Sequence, residues 1–162
     1  MNNAPMSNAP DPLMSAPESE PLRVASGPAQ SKADFKLSDY QWQHRLVLIF
    51  APTKRSSTYQ QQKQLWQAHL AGMQERDLKL VEVLAAGESR VDGHPMTIAA
   101  AERLRKQFGI DSEAFAVLLI GKDGTEKQRD KVPVEPEVLF RTIDAMPMRQ
   151  QEQRQKEQRD RR

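Results

Sequence analysis

Three stretches of the chain are apolar at nearly every position, and the segments between them repeat at helical spacing. Leu46-Val-Leu-Ile-Phe-Ala51 is an unbroken apolar run ended by Pro52. Such a run, stopped by a residue that cannot donate to a ladder, predicts a strand buried on both faces. Leu78-Lys-Leu-Val-Glu-Val-Leu84 predicts a second strand, closed by Ala85-Ala86-Gly87, and Phe115-Ala-Val-Leu-Leu-Ile120 a third. Between the first two, Ser56-Ser57-Thr58 offer helix caps, and Tyr59, Leu65, Trp66, Leu70 and Met73 recur at helical spacing to about Gln74. A loop holding Gly93 and Pro95 follows the second strand. Thr97 then caps a helix with Ile98, Ala101, Leu104 and Phe108 on one face, and Gly109 stops it. Asp123-Gly124 is a hairpin signal that turns the third strand back into a shorter, polar one near Thr125–Arg129. Pro136 suits the first turn of a last helix, whose apolar face is Leu139, Phe140, Ile143 and Met146, until Pro147.

The predicted order is β-α-β-α-β-β-α. Alternating βαβ units make the first two strands parallel through a right-handed crossover, and the Asp123-Gly124 turn makes the last two antiparallel. The expected class is therefore α/β: a mixed four-stranded sheet with helices on both faces, which is the thioredoxin-like architecture. The two fully apolar runs belong in the centre of the sheet and the polar fourth strand at its edge.

Composition limits what that fold can do. The chain has 162 residues, 11 Pro and no Cys, so disulfides, thiolate metal sites and cysteine nucleophiles are all excluded. Its mean hydropathy is −0.74, low for a chain folded end to end. Six of the prolines fall in the first 30 residues among Ala, Ser and Asn. This divides the chain into a disordered Pro/Ala-rich segment over 1–33, a folded domain over 34–148, and a charged Gln/Arg-rich tail over 149–162. The pI is about 9.0, yet residues 34–148 are charge-neutral and the tail alone carries the excess, at +3. Nucleic acid is accordingly not an expected partner. No apolar run approaches the roughly 18 residues that span a bilayer, so no membrane span is expected. No basic-then-apolar leader opens the sequence as given, which points to the cytoplasm.

The last third of the domain carries a more specific likeness. Phe115-Ala-Val-Leu-Leu-Ile-Gly-Lys-Asp-Gly124 followed by Val138-Leu-Phe-Arg-Thr-Ile-Asp-Ala-Met-Pro-Met-Arg149 resembles the signature end of P-DUDES. That is an uncharacterised thioredoxin-like, peroxiredoxin-related family of bacterial proteins and of vertebrate extracellular proteins such as equarin and the sushi-repeat proteins. The resemblance, over roughly residues 38–149, implies a thioredoxin-like fold with no established activity. It also implies export, against the cytoplasmic reading.

Thioredoxins place their redox pair after the first central strand, because a helix N-terminus lowers a thiol's pKa. Setting Val47–Ala51 on that strand puts Lys54 and Ser57 near the two cysteine positions. A peroxiredoxin-like Pro-x-x-x-Ser/Thr-x-x-Cys register instead aligns Pro52 and Ser56 and puts Tyr59 in the cysteine's place. The cis-proline position before the third strand falls at about Ala116. Neither register supplies sulfur, so no thiol oxidoreductase or peroxidase activity is expected, and no cofactor. The candidate site is what stands at that corner: Lys54, Arg55, Ser56, Ser57 and Thr58, with Ala116. Hydroxyls, two cations and unpaired N–H groups at a helix start suit a small anion; the same residues also make an ordinary capped turn. Two functions follow. One is a non-enzymatic, redox-inactive module binding a protein or peptide beside this turn. The other is an anion binder or non-thiol enzyme centred on Lys54–Thr58. His44, His69 and His94 lack metal-ligand spacing, Tyr40 and Trp42 read as lid packing, and Trp66 as core.

Overall fold

A computed structural model describes residues 34–161; the disorder expected over 1–33 lies outside them. The first strand, β1 (Arg45–Ala51), is buried at all seven positions. It pairs in parallel with β2 (Leu78–Leu84) and antiparallel with β5 (Ala116–Ile120), so that Val47 lies between Leu80 and Leu119. β5 in turn pairs antiparallel with β6 (Glu126–Asp130), a polar edge. These are the four expected strands in their expected places. The sheet nevertheless has six, because the loop around Gly93 carries β3 (Arg90–Val91) and β4 (His94–Pro95), giving the order β4-β3-β2-β1-β5-β6. The cause is a second Asp-Gly turn: Asp92 at φ 50° and Gly93 at φ 81° are both left-handed, as a two-residue type I′ hairpin requires.

Side-chain alternation on the strands feeds two cores. Leu46, Leu48, Phe50, Leu118 and Ile120 face α3 (Ile98–Phe108). Val47, Ile49, Val117 and Leu119 face α1 (Ser57–Gln67), α2 (Leu70–Glu75) and α4 (Pro136–Asp144). Helices thus cover both faces, each strand side chain contributing roughly 1.5–3 kcal/mol of burial. Thr97 caps α3, its Oγ1 accepting from the Ala100 amide at 3.1 Å, and Gly109 ends it at φ 67°. Ile98, expected on the buried face, is 69% exposed; the helix turns Ala100, Ala101 and Leu104 inward instead.

The helix expected to run to Gln74 is two. The chain breaks at Ala68–His69, where His69 takes φ −131°, ψ 28°. The break keeps Met73 inside but leaves Leu70 53% exposed. It also lets Gly72 lie against Phe140, where an added Cβ would meet the ring at 2.7 Å. Trp66 is core, at 3% exposure, while Trp42 is not lid packing but 61% exposed. Tyr40 does pack, its ring 5.3 Å from that of Phe35.

The charged tail is helical and partly docked. Residues Pro147–Asp160 form a helix, α5, and beyond Pro147 and Met148 its first turns pack through charged side chains. Arg149 is buried, donating to Glu75 at 2.8 Å and lying 3.4 Å from Asp144. Glu152 accepts both Nη groups of the fully buried Arg45 at 3.2 Å and the Lys122 ammonium at 2.6 Å. Ion pairing between elements far apart in sequence docks this helix.

Candidate functional site

The corner after β1 is built from a strand that must stop. Pro52 ends the ladder, Thr53 Oγ1 accepts from the Arg55 amide at 3.1 Å, and α1 starts at Ser57. Ser56 stands at the cap position, but its hydroxyl caps nothing in the helix; it lies 3.4 Å from the Thr53 amide. Lys54, Arg55 and Ser57 are exposed, and Ser56 and Thr58 half-buried. No hydrogen bond or ion pair engages the Lys54 or Arg55 side chain among the described residues. Ala116 is different in kind. It is the first residue of β5, 2% exposed and paired across the sheet with Phe50, so it offers no side chain to a ligand. The structure therefore sets Lys54–Thr58 together on one turn and keeps Ala116 buried in the sheet, in the core on the α3 side.

The residue that the peroxiredoxin-like register puts in the cysteine's place is buried. Tyr59 lies in the first turn of α1 at 7% exposure, and its phenol donates to Glu82 of β2. Lys63, one turn further along α1, donates to the same Glu82 oxygen at 2.7 Å. Burial and then the hydrogen bond to Glu82 raise the Tyr59 pKa far above its usual value, so the phenol stays protonated and is no nucleophile. The helix is pinned at a second inner residue too: Gln62 exchanges two hydrogen bonds with the backbone of Val134, at 2.9 and 2.8 Å. Glu82 and Lys63 escaped the sequence reading. The signal was one acid inside the apolar run Leu78–Leu84, since a carboxylate in a buried strand needs a partner.

Beside the corner, Arg105 of α3 donates to the Ala51 and Val83 carbonyls at 2.8 and 3.3 Å and to that of Asp111 at 2.9 Å. It adds a donor to the Ala51 carbonyl, which also accepts from the Ala85 amide, and burial lowers its pKa. A groove of about 400 Å³ opens between the α1–α2 pair and the outer side of β2, lined by Trp66, Leu70, Met73 and Leu80 with Lys63 and Glu82. Three or more His, Asp or Glu side chains converge nowhere among the described residues in a way that could hold a metal ion.

The profile described as "Domain of unknown function (DUF4174)" matches residues 36–152. The chain belongs to this family. The match ends at Glu152, so it includes the residue that clasps Arg45 and Lys122. Among relatives, DUF4174 here is similar to sushi repeat-containing protein SRPX of Homo sapiens, at 29% identity over 72% of this chain and 26% of that protein. It is also similar to coiled-coil domain-containing protein 80 of Danio rerio, at 26% identity over 72% of this chain and 15% of that one. The chain thus spans about a quarter or less of the length of these relatives. In fold it is similar to the reduced 2-Cys peroxiredoxin of Plasmodium vivax, with a TM-score of 0.56 at 14% identity, covering 71% of this chain and 84% of that one. The mitochondrial 2-Cys peroxiredoxin of Plasmodium falciparum gives a TM-score of 0.53 at 13% identity. The thioredoxin-like fold of a family of unknown function, expected from the sequence, is what these comparisons give.

Proposed function

We propose that this DUF4174 domain is a redox-inactive thioredoxin-like module that binds a protein or peptide and turns over nothing. The observation that carries this reading is Tyr59: a phenol held protonated against Glu82 fills the place where the fold's thiol chemistry would start. A packed side chain there keeps the corner rigid and leaves its surroundings for binding. The groove beside α1, with Leu70 half open and Trp66 behind it, is the surface of choice. It needs no cofactor. By the resemblance to sushi-repeat proteins the module works outside the cytoplasm, which fractionation of the source cells tests.

The experiment has two arms. Hydrogen peroxide consumption and insulin-disulfide reduction should stay at the buffer rate. A random peptide library panned on the full chain should give enriched sequences whose binding Leu70→Glu abolishes. Turnover in the first arm, or peptides indifferent to Leu70→Glu, would sink the reading. A second reading, a small-anion site at Lys54–Thr58, rests on two exposed cations that have no partner among the described residues and on a Ser56 hydroxyl that caps no helix amide. Phosphate should then stabilise the wild type more than a Lys54→Ala, Arg55→Ala variant at fixed ionic strength, by RT ln(1 + [L]/Kd).

A further inference from the structure

At the opposite end of the sheet, where β1 begins and β5 ends, a cavity of about 410 Å³ opens. That volume lies within the roughly 300–1,000 Å³ of small-molecule sites. Part of its lining is apolar and soft: Trp42, Met146, Pro147 and Met148. The rest is charged, with Arg45, Lys122 and Lys127 against a single carboxylate, Asp123.

The hydrogen-bond inventory of these side chains is lopsided. The Lys122 ammonium donates to Asp77 at 2.9 Å and to Glu152 at 2.6 Å, which leaves one of its three N–H groups. Lys127 donates to Asp123 at 2.8 Å and keeps two. Arg45 gives its Nη groups to Glu152 and the Arg76 carbonyl, while its Nε, fully buried, has no acceptor among the described residues. On the acceptor side, both Asp123 oxygens are already engaged, by Thr125 at 2.9 and 3.0 Å and by Lys127. Asp77 and Glu152 balance the charge of Arg45 and Lys122 from outside the lining, yet N–H groups of Lys122 and Lys127 remain to donate into the cavity mouth. A ligand that uses them brings oxygen acceptors.

The apolar side tells the same story in another way. Trp42 is 61% exposed and sits at φ 71°, a left-handed backbone that a bulky aromatic residue seldom takes. Its amide is held there by the Lys122 carbonyl at 2.6 Å. Met148 is also open, at 37%. Gly121 lets the Lys127 stem cross the backbone, since a Cβ would meet Lys127 Cε at 2.6 Å. The exposed ring of Trp42 buries little for the fold, and an open aromatic face is what a platform for an apolar ligand group requires.

We propose that this cavity is a binding site for a small apolar acid, its hydrocarbon part packed on Trp42 and the methionines and its carboxylate received by Lys122 and Lys127. The site is distinct from the groove beside α1 and stands whether or not that groove binds peptide. The same chemistry occurs at the C-terminal residue of a peptide, so the test separates the two sources. On the full chain, 3-phenylpropionate and its neutral amide are titrated while NMR follows the methionine methyls and the Trp42 indole. The acid should give saturable shifts at Met146, Met148 and Trp42, and the amide should bind at least about tenfold more weakly. Trp42→Gly should lose at least about tenfold in affinity while melting no lower than wild type. Lys127→Gln should weaken the acid and leave the amide unchanged. Gly-Gly-Gly-Phe with a free C-terminus, if tighter than phenylpropionate and than its own amidated form, assigns the source to a chain end; if weaker, to a free acid. No saturable shift with the acid, equal binding of acid and amide, or unchanged affinity in Trp42→Gly would overturn the proposal.

Discussion

The two ends of β1 hold similar residues in opposite circumstances. Past its C-terminal end, Lys54 and Arg55 stand exposed on a turn without partners among the described residues. At its N-terminal end Arg45 is wholly buried, and with Lys122 and Arg149 it is matched by Glu152, Glu75, Asp77 and Asp144. The first pair adds little to stability, because exposed charges are already well solvated. The second set cannot leave its partners without stranding a charge in the interior. Charge in this molecule is therefore mostly paired and buried at one end of the sheet and exposed at the other.

Breaking the buried end should have the largest effect. Ending the chain after Met148 removes Arg149 and Glu152 together, and urea melts should show a loss of roughly 3–5 kcal/mol, whereas a chain ending after Gln153 should melt like the full one. Equal melts for the two lengths would show that the helix docks without consequence. Glu152→Ala should cost about 2–3 kcal/mol, less than a fully buried partner because its side chain keeps 24% exposure.

Acid sharpens the same comparison. Burial pushes the Glu152 carboxyl up, but hydrogen bonds from Lys122 and Arg45 outweigh it and hold its pKa below the ordinary 4.5. Asp144 is likewise held below 3.8, burial being outweighed by Arg76 and Arg149. A carboxyl with a lowered folded pKa stabilises above its unfolded pKa, and that contribution is lost as pH falls through the folded value. Stability should thus decline below about pH 4.5, and Glu152→Gln should flatten the decline in melts recorded from neutral to strongly acidic buffer. A decline of unchanged slope would place the acid sensitivity elsewhere.

Smaller effects belong to the corner. Tyr59→Phe takes one hydrogen bond from a buried carboxylate that keeps Lys63, and should cost about 1–2 kcal/mol by urea denaturation. The Lys54→Ala, Arg55→Ala double variant should stay within about 0.5 kcal/mol of wild type. A larger loss there would mean that the two cations are held by partners after all.

What was legible in the sequence was local. The apolar runs at Leu46–Ala51 and Phe115–Ile120 became the central strands, and Thr97 and Gly109 bound a helix at both ends, because runs and caps act within a few residues. Asp92-Gly93 carries the same turn signal as Asp123-Gly124, but the strands it joins are two residues long, too short to leave an alternating pattern. The corner's exposed turn was readable, and so was Tyr59 as a register option. Its bond to Glu82 was not, since that contact joins a helix to the second strand. The docking of α5 left no local trace at all: a run of Arg, Gln and Glu reads as solvated unless its partners on other elements are known.

The Arg45–Glu152 pair spans 107 residues of chain, and that separation sets an order of events during synthesis. The guanidinium at the head of the first strand is made early, while its carboxylate leaves the ribosome after every strand of the sheet. Contacts so distant in sequence are slow to close, and a partly made domain exposes what they would cover. A nascent chain stalled before Glu152 should therefore be cut readily by protease, and one stalled well beyond it should resist. The final helix, polar as it is, is thus the last element whose contacts close the domain.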